Sequence, residues 1–156
     1  MLIKDCMKRN VFSIPAEATV AEAARVFVKH HVGVLPVVNA GRKPVGILRL
    51  QDLLTLELPD FVSLLADLDF IHDFGAVETT RPAPELLARP VTSLMQPIVT
   101  VGEDSGLLRA YSMMLKDDLH DIPVTDPEGV LVGIASRVDV AVAVLSSWQE
   151  RKGKTP

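Results

Sequence analysis

One cysteine, Cys6, stands in a chain of 156 residues, so no intrachain disulfide can form. No histidine lies near it in sequence to act as a base, which argues against a catalytic thiol. No apolar run reaches the roughly 20 residues that a membrane-spanning helix needs. The first segment carries Lys4, Asp5, Lys8 and Arg9 and lacks the apolar stretch of a signal peptide, so a cytoplasmic protein without membrane contact is expected. Clustered Lys and Arg are missing outside the tail Arg151-Lys152-Gly153-Lys154, and the net charge is −4. Phosphate backbones need such clusters, so nucleic acid is not an expected partner. A G-x-S-x-G elbow, a Walker-type phosphate loop and a His-Glu-x-x-His zinc pattern are all absent. Nothing in the chain therefore points to catalysis or to a resident cofactor.

The residues that are present describe a globular protein. Hydrophobic residues make up 48% of the chain, enough for a substantial core, and charged residues 23%. The length fits one domain or two small ones.

The pattern predicts the following order. Val11 to Ile14 is a short strand closed by Pro15. Thr19 caps a helix that runs to about His31, with Val20, Ala23, Ala24, Phe27 and Val28 at helical spacing and Gly33 as its stop. Val34 to Val38 is a strand in which Pro36 suggests an edge or a bulge. Val45 to Leu50 is the next strand, and Asp52 opens a short helix. Residues 59–89 read as a connector, with Phe61, Leu64, Leu65, Leu68 and Ile71 on one helical face and a last turn at Glu85 to Arg89.

From Val91 the pattern begins again. Val11 to Leu54 aligns with the second half at an offset of 87, without a gap. V-F-S-I falls on I-V-T-V at Ile98 to Val101. V-L-P-V-V falls on D-I-P-V-T at Asp121 to Thr125, and V-G-I falls on Val132, Gly133 and Ile134. Ile3 and Met7 correspond to Val91 and Met95 with one residue of slippage. Leu107, Leu108, Tyr111, Met114 and Leu115 make a second amphipathic helix. A last helix runs from Arg137 to about Glu150, with Val138, Ala141, Val142, Leu145 and Trp148 on one face and Val140 and Val144 widening it. So broad an apolar surface needs covering from more than one side, which points to a homodimer.

The L-P-V-V and I-P-V strands, the opening methionine and the two V-G-I…D strand-to-helix turns, repeated in order, resemble the CBS domain, and the pair resembles a Bateman module. The resemblance covers roughly residues 2–57 and 90–149. It implies an α/β (α+β) fold of two β-α-β-β-α repeats, 1–58 and 90–150, packed in pseudo-two-fold symmetry with a helical connector and a tail at 151–156. It also implies a ligand sensor that regulates an unidentified partner protein and has no catalysis of its own. Clefts between the repeats would hold an adenine nucleotide or another adenosine compound.

The family's ligand motif is Gly, two apolar residues, Thr or Ser, two variable residues, Asp. The second repeat carries it complete, from Gly133 through Ser136 to Asp139. The resemblance assigns ribose to Asp139, ribose or phosphate to Ser136 and phosphate to Arg137. Val11, Phe12, Val32, Gly33 and Val34 would complete that main cleft. In the first repeat Arg49 replaces the Thr or Ser, while Asp52 remains. The second, weaker cleft would combine Arg49 and Asp52 with Ile98, Leu119, His120 and Asp121, the last of which repels phosphate.

Plainer readings stand beside these. Ser136 and Asp139 also form a capping box, which needs no ligand. Asp67, Asp69, His72 and Asp73 resemble a metal set, but on a helix Asp69 shares a face with Asp73 and roughly with His72 while Asp67 points elsewhere, and a solvated face is the expected reading. A ligand-free dimerisation or docking module remains the alternative function, favoured by Arg49.

Overall fold

The computed structural model describes residues 1–57 and 81–150. The apolar face expected within 59–80, the acidic set at 67–73 and the tail at 151–156 lie outside the described residues.

Helix α1 (Val20–His30) starts where the sequence predicts. The Thr19 hydroxyl accepts from the Glu22 amide at 3.2 Å, and the Glu22 carboxylate accepts from the Thr19 amide at 2.8 Å. This reciprocal cap supplies partners to two otherwise orphaned N–H groups, worth about 1 kcal/mol. Val20, Ala23 and Phe27 turn inward, whereas Val28 is 76% exposed and does not belong to the buried stripe. The stop is His31, in the left-handed region at φ 51°, and not Gly33. Asp118, the matching residue of the second repeat, sits at φ 49°.

Each repeat builds a three-stranded sheet. In the first, β1 (Ile14–Pro15) runs parallel to β2 (Val34–Val38), and β2 pairs antiparallel with β3 (Pro44–Arg49). In the second, β4 (Val101–Gly102), β5 (Asp121–Thr125) and β6 (Leu131–Ser136) repeat the arrangement. The first strand of each sheet is shorter than predicted, because Val11 and Phe12 leave the ladder. Pro36 lies in a central strand and not at an edge. It is tolerated because its partner Ile47 turns both backbone groups away, to Gln96 at 2.9 and 2.8 Å. Pro36 and Ile47 are thus a non-hydrogen-bonded pair, and the missing N–H costs that ladder nothing. Pro123 opposite Ile134 repeats the device, with Lys8 in place of Gln96.

Those last contacts disclose the connection between the repeats. The arm before each repeat docks on the other one. Lys8 bridges to Ile134 and Leu2 to Gly106, while Gln96 bridges to Ile47 and Pro90 to Thr19. The bridges come in reciprocal pairs, as a two-fold relation requires. Ile3 and Met7 are buried in a core with Leu107, Met114, Ile122, Val124 and Val140 of the second repeat. Val91 is buried with Phe27, Leu35, Val37 and Leu48 of the first. The repeat boundaries are therefore boundaries of sequence, and each core is completed by the other half.

The glycines of the two V-G-I strands exist for this docking. A Cβ on Gly133 would stand 2.7 Å from Met7 Sδ and 3.0 Å from the Lys8 carbonyl oxygen. A Cβ on Gly46 would collide with Met95 Sδ. Only a bare backbone lets the arm lie this close.

Helices α2 (Leu50–Leu54), α3 (Pro84–Leu87), α4 (Leu107–Lys116) and α5 (Arg137–Glu150) complete the description. In α5 the face that enters the core is Val140, with Ala143 and Val144 packed against it. Val138, Val142, Leu145 and Trp148, expected as the main face, point outward, with Trp148 65% exposed. Leu108 and Leu115 of α4 are likewise exposed.

Candidate functional site

Two clefts open between the sheets. The first has a volume of about 280 Å³ and is lined by Val11, Phe12, Val32, Gly33 and Val34, as expected from sequence, together with Lys8, Asn10, His31, Asp121 and Ile134. Phe12 stacks on His30 with ring centroids 3.9 Å apart and planes 18° from parallel. This places an aromatic wall at the cleft. A Cβ built on Gly33 meets nothing within 4 Å, so the space beside it belongs to the cleft.

Asp139 and Ser136 do not line this cavity directly. They form a reciprocal cap at the start of α5, in which the Ser136 amide donates to Asp139 Oδ2 at 2.9 Å and the Asp139 amide donates to Ser136 Oγ at 3.0 Å. The Lys8 ammonium, carried in by the exchanged arm, lies 3.6 Å from the same Oδ2 and joins Asp139 to the cleft. Burial works against the charge on Asp139, but hydrogen bonds from Ser136 and the nearby Lys8 outweigh it and hold the carboxyl below its usual range.

Arg137 departs from its expected place beside a phosphate. Its Nε donates to the Leu119 carbonyl at 2.6 Å, and its Nη2 reaches the Met114 carbonyl at 3.3 Å and Asp118 Oδ1 at 2.8 Å. The negative end of α4 and the Leu119 carbonyl just beyond it draw the cation there.

The second cleft is larger, about 520 Å³, and is lined by Arg49, Leu119, His120 and Asp121 among others. Ile98 and Asp52 are not part of its wall. Asp52 is buried behind Arg49, which holds it in a fork: Nε to Oδ2 at 3.2 Å and Nη2 to Oδ1 at 3.1 Å, with the Arg49 amide also on Oδ2 at 2.8 Å. Both carboxylate oxygens are thereby occupied.

Asp121 lines both clefts, as do Val34 and Gly33. Val34 and Asp121 occupy equivalent places in the two repeats, so the partition between the clefts is one apolar side chain and one carboxylate. Burial raises the Asp121 carboxyl above its usual range, and Asp139 adds to the effect, against the pull of His120 and Lys8. Burial likewise pushes the Cys6 thiol up, toward the unreactive neutral form. Among the described residues no group of three metal-ligating side chains comes together, and no helix is long and apolar enough to cross a membrane.

Sequence reasoning missed Lys8. Its signal was the position one residue after Met7, matched by Gln96 after Met95, but only the exchange of arms turns that position into a cleft residue.

The CBS domain profile matches residues 3–58 and again residues 91–146. The chain belongs to the CBS domain family. As a tandem CBS pair it is 28% identical to an uncharacterised protein of Methanocaldococcus jannaschii, over 93% of its own length and 92% of that protein's. It is 27% identical to the chloroplastic CBS domain-containing protein CBSX2 of Arabidopsis thaliana, covering 95% of this chain and 64% of that one. The chain spans 60% and 61% of two further curated relatives. Among solved structures, CBSX2 in complex with AMP superposes with a TM-score of 0.68 at 27% identity, over 93% of this chain and 96% of that one. A CBS domain pair solved with 5′-methylthioadenosine and S-adenosyl-L-methionine gives a TM-score of 0.67 at 20% identity, over 94% and 98%. The α/β architecture of two β-α-β-β-α repeats is that of CBS pairs.

Proposed function

We propose that this CBS pair is a regulatory module that binds an adenosine-containing ligand, an adenine nucleotide or an S-adenosylmethionine-type compound, in the first cleft. One contrast carries the reading. The contacts to Asp139 all use Oδ2, so among the described residues Oδ1 is left to accept from a ribose diol, whereas Arg49 occupies both oxygens of Asp52. Asp139 is also the more accessible, its side chain 22% exposed against 10% for Asp52. Val11, Phe12, Val32 and Val34 offer the purine an apolar slot. The cleft lies just under the usual range of about 300–1,000 Å³ for ligand sites, and withdrawal of the exposed Lys8 side chain enlarges it. The AMP complex of the relative CBSX2 supports the ligand class.

Isothermal titration against AMP, ADP, ATP and S-adenosylmethionine tests this, with Asp139→Asn as the control. Asparagine keeps an oxygen for the Ser136 amide and removes the charge. The expected result is micromolar binding of at least one compound, weakened about tenfold or more in the variant, the worth of a charged hydrogen bond. Unchanged affinity in Asp139→Asn would move the site elsewhere.

The second reading, a docking module without ligand, is favoured by the Arg49 fork over both oxygens of Asp52 and by the Lys8 contact on one oxygen of Asp139. Under either reading the chain is a homodimer. Val138, Val142, Leu145 and Trp148 form one outward stripe on α5, beside the exposed Leu108 and Leu115 of the neighbouring α4, and a second copy covers it.

A further inference from the structure

The cations around the two clefts are already matched. Lys8 stands on Asp139, Arg49 is forked on Asp52, and Arg137 is paired with Asp118 and two carbonyls. One charge is left over, the carboxylate of Asp121. Among the described residues no hydrogen-bond donor or ion-pair partner reaches it, and it is half-buried in the partition between the clefts. Whichever cleft a ligand enters, it meets this group. Lys8, which lines the first cleft together with Asp121, is already paired with Asp139 and is no surplus charge for a phosphate.

We infer that Asp121 is the specificity-determining residue of the pair, selecting adenosine compounds whose 5′ substituent is neutral or cationic over those that carry a polyphosphate. The inference rests on the adenosine reading above and narrows it to a ligand class. A sulfonium or ammonium group within the cleft gains a carboxylate partner. A triphosphate is held against a fixed negative charge in surroundings where water screens it poorly. In the first repeat the equivalent residue is Val34, so the partition itself supplies no compensating cation.

Four probes separate the outcomes: S-adenosylmethionine, S-adenosylhomocysteine, AMP and ATP. The first two have nearly the same shape and differ in the sulfonium charge. Titrations with wild-type protein, Asp121→Asn and Asp139→Asn are expected to give S-adenosylmethionine as the tightest and ATP as the weakest. Asp121→Asn should narrow the ratio of their dissociation constants about tenfold or more, and should remove the advantage of S-adenosylmethionine over S-adenosylhomocysteine. Raising the salt should tighten ATP and loosen S-adenosylmethionine in wild type. Asp121 holds no internal hydrogen bond, so the variant keeps the fold, which a thermal melt checks. ATP as the tightest ligand, or an unaltered ratio in Asp121→Asn, overturns the inference while leaving the adenosine site in place, provided Asp139→Asn still weakens binding about tenfold or more. No binding of any probe overturns both.

Discussion

A single exchange, Arg49 where the second repeat has Ser136, separates an occupied carboxylate from an available one. Arg49→Thr should undo it. Threonine restores a capping hydroxyl before α2 and frees Asp52, but it takes the cation from a buried carboxylate, so stability should fall by about 1–3 kcal/mol. Calorimetric stoichiometry should rise from one adenosine ligand per chain to two. Asp121 and Asp139 should act oppositely on stability as pH changes. Asp121 is raised in the folded state, so its favourable contribution is complete below the ordinary value of 3.8 and is lost as pH rises through the higher folded value. At neutral pH its charge is a cost, and Asp121→Asn should melt higher than wild type, with the gain disappearing below about pH 3.8. Asp139 is lowered, so it stabilises the fold above 3.8 and that help fades as pH falls through the lower folded value. Melting curves of Asp139→Asn should therefore converge on wild type only in strong acid.

At the scale of elements, the glycine of the G-I-A-S motif is a docking device for the arm. Gly133→Ala should cost about 1–3 kcal/mol, the usual penalty for overpacking, since the Lys8 backbone must move. Gly46→Ala faces chiefly the flexible end of Met95 and should cost less, which urea denaturation of the two variants will rank. The elements themselves were largely legible. The bounds of β2 and β5, the Thr19 cap and the span of α5 follow from β-branched runs, a capping residue and sustained apolar spacing. Other features depended on the environment. His31 ends α1 in a backbone state that sequence associates with glycine. Val11 and Phe12 read as strand because they are apolar, yet their burial is against the cleft. The two faces of α5 are equally apolar, so spacing alone could not say that Val140 goes inward and Val142 outward. Arg137 fits the motif, but the Met114 carbonyl of α4, the Leu119 carbonyl just after it and the Asp118 carboxylate hold it where no motif would place it.

Among the described residues the molecule is two cores tied by exchanged arms, with an exposed apolar stripe on α4 and α5. The stripe predicts the assembly. Val142→Glu combined with Leu145→Glu should turn a dimer into a monomer by light scattering, at little cost to the melting temperature, because both side chains already face solvent within one chain. The arms bear on how the chain comes into being. Ile3 and Met7 leave the ribosome more than a hundred residues before the surfaces they pack on, around Ile122 and Val140. This arm is thus made well before its partners, and until they arrive its apolar residues are exposed. For this chain the vulnerable period in the cell is the interval of its own synthesis.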